Sequence, residues 1–462
     1  MRRFIGRNDE LGFLENEYNR IGSSLVVVYG RRRVGKTALA AKFLRGKSGL
    51  YFIATEENEN ENKTTFREIV AQFTNNELLM SASGLSWDAI FKVWIGLNSD
   101  KKKLMVIDEF QYLGKANAAF PSVFQRIWDT MLKDEYVMVI LCGSHISMME
   151  SQTLAYSSPL YGRRTGQIRL KPIPFSHYGD FFPHRSEREL IPYYAITGGI
   201  PKYIELFYDA EDIYSAIERN ILSKSSFLYD EPNFLLKREV SEVGSYFSIL
   251  KTIAASNRKL SKIAASLEMK QTGLTKYLKT LIELDILERE VPITEDNPEK
   301  SKRGLYRIKD CFISFWFKFI FPNLSYIESG NIDWAARKIK GNLMDSHVSY
   351  IYENLCAEKM WQLLSAGTWG FSFIKVGRWW NNDTEIDIVA IDKDGKNIIF
   401  GECKYTSCKT GVDVLHGLER KSRLVEWNKS DRTDYYVLFS VLGFTPELIK
   451  LAEARHDLVL YE

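Results

Sequence analysis

The apolar and polar positions of this chain follow three successive rhythms. Through the first half, unbroken apolar runs alternate with amphipathic stretches. Leu25-Val26-Val27-Val28-Tyr29 is apolar throughout and rich in β-branched residues, the pattern of a strand buried on both faces of a parallel sheet. Leu50-Tyr51-Phe52-Ile53, Leu104-Met105-Val106-Ile107 and Tyr136-Val137-Met138-Val139-Ile140-Leu141-Cys142 repeat it. Phe4–Leu11 leads into a predicted amphipathic helix ending near Asn19-Arg20, and a second helix is predicted over Ala38–Leu44, built of strong helix formers. The polar run Glu56 to Lys63 reads as a solvated loop. A helical stretch is predicted from Pro201, a good first helical residue, to about residue 235.

From about residue 238 the rhythm becomes helical. Phe247–Ala255 carries Ile249 and Ile253 on one face, a short helix starts at Leu260, and Thr272–Leu284 sets Leu274, Leu278 and Leu281 at helical steps. Ile286–Val291 and Gly304–Ile308 then read as two strands around a polar tip. This is the order of a winged helix, whose third helix offers Lys270, Gln271, Thr272, Thr275, Lys276 and Lys279 to a phosphate backbone, with Lys300, Lys302 and Arg303 in the wing. Such a module serves equally well as an internal regulatory element. The aromatic stretch Phe312 to Ile327, centred on Phe315-Trp316-Phe317-Lys318-Phe319, reads as an interface that docks the last domain rather than as a base-stacking platform. The third rhythm is a helix from about Met344 to Leu363 and three strands, Phe371–Val376, Thr384–Ile391 and Asn397–Tyr405, the last two forming a hairpin about Asp394-Gly395.

One motif gives the first rhythm its chemistry. Gly30-Arg31-Arg32-Arg33-Val34-Gly35-Lys36-Thr37 fits G-x-x-x-x-G-K-[ST] and lies between the predicted strand and helix that the pattern requires. The glycines let backbone N–H groups close on the α- and β-phosphates of ATP at the positive end of the helix. Lys36 is expected on the β- and γ-phosphates and Thr37 on Mg²⁺. Asp108 and Glu109 end an apolar strand; the first suits the Mg²⁺ shell and the second a general base for water, so hydrolysis as well as binding is expected. Ser144, at the tip of the next strand, is a sensor candidate or a helix cap. Arg163 and Arg164 offer an arginine finger, in cis or across a subunit boundary, or simply paired surface charges.

Composition adds limits. A formal charge of +3 over 462 residues gives no global argument for nucleic acid, so any basic surface must be local. Five scattered cysteines without a CxxC pair suit a reducing compartment and no zinc site. The charged start Met1-Arg2-Arg3 does not read as a signal peptide, and no apolar run reaches membrane-spanning length. A soluble cytoplasmic protein without a membrane partner is expected.

Together, Phe4-Ile5-Gly6-Arg7-Asn8-Asp9-Glu10-Leu11, the Arg31-Arg32-Arg33-Val34-Gly35-Lys36-Thr37 loop, Ile107-Asp108-Glu109-Phe110-Gln111-Tyr112, Gly143-Ser144 and Gly198-Gly199-Ile200-Pro201 resemble the archaeal-type ATPases near the STAND branch of AAA+ proteins. The resemblance covers about the first half. It implies an opening segment beside the adenine and a lid coupled to the nucleotide through Gly199 and Pro201.

A second constellation lies in the last domain. Asp387 and Glu402 are 15 residues apart across the predicted hairpin, with Lys404 on the face of Glu402. Two carboxylates meeting this way suit Mg²⁺ or Mn²⁺, and a lysine beside them can orient water and steady charge on a phosphate. The order resembles the PD-(D/E)XK nucleases, with Asp387, Glu402-Cys403-Lys404 and Glu353 in the opening helix as its motif and Ile386 in place of the name's proline. Lys409, Arg420, Lys421 and Arg423 are further backbone-contact candidates. An inactive nuclease fold fits the same residues.

The expected architecture is multidomain α/β: a P-loop ATPase core with a parallel sheet (1–185), a helical lid (186–237), a winged helix-turn-helix (238–311), an aromatic linker (312–342) and a restriction-endonuclease-like domain (343–462). Two functions follow. One is an ATPase that acts on DNA through a metal-dependent nuclease. The other is a nucleotide-dependent regulatory switch whose last domain binds DNA or a partner, with assembly into a homo-oligomer open in both.

Overall fold

A computed structural model describes residues 4–462; Met1, Arg2 and Arg3, on which the reading of the chain start partly falls, lie outside the described residues. The chain divides into two compact units, Met1–Phe181 with Gly199–Glu205, and Phe182–Gly198 with Leu206–Glu462.

The first unit is built on a five-stranded parallel sheet of β1 (Ser24–Tyr29), β2 (Gly49–Ile53), β3 (Lys103–Asp108), β4 (Val137–Gly143) and β5 (Gly166–Arg169), in the order β2-β3-β4-β1-β5. Every residue of β1 and β4 is buried, as the unbroken apolar runs require when helices cover both sheet faces. The central place of β1 puts its carboxyl end, and the helix Lys36–Leu44 that follows, at the point where the strand order reverses. Ligands of open α/β sheets bind at such a crevice.

Glu56 to Lys63 is not a free loop beyond Asn58. A helix runs Glu59–Thr74, capped by the Asn58 side chain, which accepts from the Glu61 N–H. The buried Asn62 side chain accepts from the Thr55 N–H at 2.9 Å and donates to the Thr55, Glu57 and Asn58 carbonyls. Local side-chain hydrogen bonding thus organises a run whose polarity alone suggests solvation. The stretch after Pro201 is also more broken than its composition suggests: short helices occupy Pro201–Glu205 and Ile213–Ile217, and another runs Glu231–Glu239.

In the second unit, helices Val243–Ala254, Leu260–Ser266 and Gln271–Glu283 precede the antiparallel pair β6 (Leu287–Glu290) and β7 (Leu305–Ile308). Leu274, Leu278 and Leu281 are buried, whereas Gln271, Thr272, Thr275, Lys276 and Lys279 are exposed. The aromatic segment is core: Phe312, Phe315, Trp316 and Phe317 are buried, the Trp316 indole donates to the Tyr229 carbonyl, and Phe247 packs against Trp316, Phe317 and Phe321.

After a helix at Ser349–Ser365 comes a five-stranded mixed sheet of β8 (Phe373–Trp380), β9 (Glu385–Asp392), β10 (Asn397–Lys404), β11 (Thr433–Ser440) and β12 (Leu458–Tyr461), in linear order. β8, β9 and β10 form an antiparallel meander; β11 and β12 continue it in parallel, reached through helices Val412–Ser422 and Pro446–Glu453.

Candidate functional sites

The first site forms where β1 and β3 end. Gly30 has φ +149°, and a side chain there would meet the Leu170 carbonyl oxygen at 2.3 Å, so only glycine lets the chain turn this close to its neighbour. The Lys36 ammonium, buried at the helix start, donates to the Gly30 and Arg31 carbonyls at 2.8 and 2.9 Å. Burial lowers its pKa, against the opposing pull of Glu109 and Asp108. The Thr37 hydroxyl donates to Asp108 Oδ2 at 2.8 Å, bringing together the two expected Mg²⁺ residues.

Glu109 has φ +54°, a conformation non-glycine residues seldom adopt, and such strain gathers at functional sites. Its Oε2 accepts from the Ser144 hydroxyl at 2.7 Å, from the Ser144 N–H at 3.2 Å and from the Gln111 side chain. Ser144 therefore stands beside the second carboxylate rather than capping a helix with its hydroxyl. Thr37, Asp108, Glu109 and Ser144 thus gather with Lys36 at the end of the loop, an arrangement able to hold a phosphate chain with a divalent cation and to place a water.

Arg163 forms a bidentate ion pair with Asp129 at about 2.9–3.0 Å and donates to the Pro159 carbonyl. Arg164 donates more weakly to the Leu154 carbonyl at 3.4 Å. Gly199 has φ +71°, and a methyl group on it would meet the Ile173 carbonyl oxygen at 2.0 Å. Its own carbonyl accepts from the Ile173 N–H at 2.8 Å. Pro201 Cγ lies 4.0 Å from where a side chain on Gly35 would begin, so this segment rests against the phosphate loop.

Two residues of this site had no assigned role in the sequence. The Tyr51 hydroxyl donates to Asp108 Oδ2 at 2.6 Å. Ile53 lies opposite Asp108, and period-two alternation puts Tyr51 on the same face; only the β2–β3 adjacency, invisible in the sequence, reveals it. Arg7 is buried and donates to the Val34 carbonyl at 3.0 Å and the Lys171 carbonyl at 2.6 Å, while pairing with Glu10 at 3.0 Å. It ties the opening segment to the phosphate loop itself.

The second site lies on β9 and β10. Asp387 Oδ2 accepts from the Cys403 N–H at 2.9 Å, which fixes it beside the strand carrying Glu402 and Lys404. Glu402 is buried and pairs with Lys404 at 2.8 Å and with Lys421 at 2.9 Å. Burial, reinforced by Glu402, raises the Asp387 pKa above the usual carboxylate range. Glu353 is raised by burial as well, against the pull of Arg378, with which it pairs at 2.6 Å. A cleft of about 470 Å³ opens here, lined by Glu353, Asp387, Lys421 and Arg258 among others. Among the described residues no group of three or more His, Cys, Asp and Glu side chains is gathered as a metal site. Sequence spacing had no means of finding Arg378 or Arg258, which reach this region from β8 and from the three-helix module.

The parallel sheet, the phosphate loop at its switch point and the acidic end of β3 define a P-loop ATPase. A family model described as an ATPase domain predominantly from Archaea matches residues 4–207. A second, described as archaeal and bacterial proteins of unknown function, matches residues 316–414. An uncharacterized protein of Methanocaldococcus jannaschii is 37% identical over 446 residues, 95% of each chain. A shorter protein of the same archaeon, described as an uncharacterized ATP-binding protein, is 52% identical over 44 residues, 10% of this chain and 75% of that one. The Walker-type ATPase PABY2304 of Pyrococcus abyssi superposes with a TM-score of 0.52 at 21% identity, over 68% of this chain and 95% of that one. The chain belongs to this family of archaeal-type ATPases, and it is an ATPase. No helix among the described residues is long and apolar enough to cross a membrane.

Proposed function

We propose that this ATPase acts on DNA, with a winged helix (residues 238–311) and a metal-dependent PD-(D/E)XK-like site on the carboxyl-terminal sheet. The observation that carries the reading is the meeting of Asp387 and Glu402, 15 residues apart in sequence, on adjacent antiparallel strands, with Lys404 paired to Glu402. Asp387 and Glu402 offer the hard oxygen donors that Mg²⁺ or Mn²⁺ takes, and the ion would supply an activated water and charge neutralisation at a phosphodiester. Lys404 holds Glu402 and is placed to orient the attacking water. Glu353, held by Arg378, lines the same cleft as Asp387 and is the further carboxylate that a bound cation would draw in. The exposed Gln271, Thr272, Thr275, Lys276 and Lys279 give the third helix a polar, basic face for a DNA backbone.

In the ATPase unit, Gly30 to Gly35 would cradle the nucleotide phosphates and Lys36 would carry the β- and γ-phosphate charge. Thr37 and Asp108 hold the Mg²⁺ side, Glu109 serves as general base, and Ser144 orients it. Gly199 and Pro201, resting on the phosphate loop, relay the nucleotide state to the lid. Arg164, the less firmly held of the arginine pair, is the better finger, and a homo-oligomer would present it in trans.

The test is plasmid cleavage in Mg²⁺ or Mn²⁺ by the intact protein and by Asp387→Ala. Cleavage lost in the variant, with ATP binding retained, supports the reading; cleavage that survives removes it. The Glu353–Arg378 pair favours a second reading, in which the last domain is an inactive module that binds DNA or a partner and the ATPase is a STAND-like switch. That reading predicts slow hydrolysis, no cleavage, and a change of elution volume between ADP and a non-hydrolysable ATP analogue.

A further inference from the structure

The winged helix does not stand apart from the carboxyl-terminal sheet. The Ile293 N–H, in the β6–β7 connection, donates to the Arg378 carbonyl of β8 at 2.9 Å, and the Ile293 side chain packs against the core of that sheet. Arg303, from the same connection, pairs with Glu295 and donates to the Trp380 carbonyl. Below this contact, Arg307 of β7 pairs with Glu290 at 3.0 Å, donates to the Tyr350 hydroxyl, and donates to Asn354 Oδ1 at 2.7 Å. Asn354 Oδ1 also accepts from Arg378 at 3.1 Å. The Tyr350 ring lies within 4.4–4.5 Å of the Arg378 and Arg307 guanidinium carbons. The wing is thus occupied by the sheet.

Arg258 and Tyr350 carry this network to the cleft, and Arg258 is its cation there. It lines the cavity with Glu353, Asp387 and Lys421. One of its terminal nitrogens pairs with Glu290 at 3.2 Å and lies 3.4 Å from the Tyr350 hydroxyl, and its buried Nε–H has no acceptor. On the adjoining β8, Arg378 Nη1 likewise has none. The Arg258 guanidinium lines the cleft, and a planar fork of donors suits the oxygens of a phosphate. Besides Arg258 and Lys421, the lining holds four carboxyl groups, Asp383, Glu385, Glu353 and Asp387, with Tyr350 and Thr384. An anion can enter only once a cation has neutralised them.

We infer that the winged helix completes the carboxyl-terminal site, supplying Arg258 as a positioning residue that holds a backbone phosphate of nucleic acid over Asp387 and Glu402. This rests on the metal-site reading above. It makes phosphate binding in the cleft dependent on a divalent cation, and it gives the winged helix two DNA contacts, the exposed third helix and Arg258.

The test is equilibrium binding of a fluorescent DNA duplex to the intact protein across a salt series, with and without Ca²⁺. Variants are Arg258→Gln, Arg258→Lys and Lys276→Gln, with thermal unfolding of each as the folding control. The inference expects Arg258→Gln to weaken binding about tenfold in Ca²⁺ and to lower the salt slope by about one, as loss of a phosphate contact does. It expects no effect of Arg258→Gln without Ca²⁺, and substantial rescue by Arg258→Lys. Lys276→Gln should weaken binding with or without the cation. Binding that is unchanged in Arg258→Gln, or equally weakened without Ca²⁺, overturns it, as does absence of DNA binding by the intact protein. If Arg258→Gln unfolds, wild-type binding that does not respond to Ca²⁺ overturns it alone. Cleavage is scored separately with Asp387→Ala: a protein that never cuts DNA, yet shows the Ca²⁺-dependent Arg258 effect, loses the nuclease reading and keeps the shared cleft.

Discussion

Glu109 is the residue on which the ATPase account is most exposed. Its φ of +54° and the convergence of Ser144 and Gln111 on one carboxylate oxygen hold it in a single orientation. A positioned general base contributes about 10²–10⁴-fold, so Glu109→Gln should slow ATP hydrolysis by that range while leaving ATP binding nearly intact; steady-state turnover and nucleotide titration measure the two. Unchanged turnover would move the base elsewhere. The phosphate loop and both carboxylates were legible in the sequence because each is a contiguous motif. Tyr51 and Arg7 were not, since their meaning depends on which strand lies beside β3 and on the path of Lys171 past Val34. Glu353 was singled out in the sequence as a carboxylate of the opening helix, but not its ion pair with Arg378, 25 positions away in another element.

At the scale of elements, β1, β3 and β4 were legible because burial on both faces leaves an apolar run that little else produces, whereas β5, β11 and β12 had no reading in the sequence. Polar segments were harder. The helix Glu59–Thr74 begins inside a run of Glu and Asn, and a single buried amide, Asn62, knits its start to Thr55 and Glu57. Asn62→Ala should therefore cost about 1–3 kcal/mol, the penalty of stranding buried donors and acceptors, read as a lowered unfolding midpoint. Where the glycine pair follows helix Glu187–Thr197, Gly199→Ala must displace the Ile173 carbonyl. It should lower the unfolding midpoint and weaken nucleotide binding together, whereas a loss of stability alone would detach this segment from the nucleotide site.

A buried histidine joins two other elements of the second unit. His347 Nε2–H donates to the Ala195 carbonyl at 2.8 Å between the rings of Phe315 and Phe319, with Lys318 nearby. Burial lowers its pKa from the usual 6.5 to about 4. Above pH 6.5 neither folded nor unfolded state is protonated there, and stability is fully present. Between 6.5 and 4 the unfolded chain takes up a proton that the folded one refuses, so stability falls as pH falls, by roughly 2–4 kcal/mol in all. Unfolding midpoints across that window should fall less steeply for His347→Gln than for the parent protein; identical slopes would show that His347 titrates normally.

For the whole molecule, the sequence carried the parallel sheet of the ATPase unit but not how intimately the helices and strand pair of residues 243–308 join the last sheet. That junction is made by Ile293, Arg307 and Tyr350, none of them singled out in the sequence, and by Arg303, which the sequence offers to a phosphate backbone but which the fold turns to Glu295 and the Trp380 carbonyl. The two chemical sites lie in different compact units of one chain, and the account makes hydrolysis at one govern DNA chemistry at the other. The most direct test is nicking of supercoiled plasmid in Mg²⁺ or Mn²⁺, with and without ATP, by the intact protein, Lys36→Ala and Lys404→Ala. The account predicts nicking that disappears in Lys404→Ala and responds to ATP in the parent protein but not in Lys36→Ala. Nicking that persists in Lys404→Ala, or none with either metal, would contradict it.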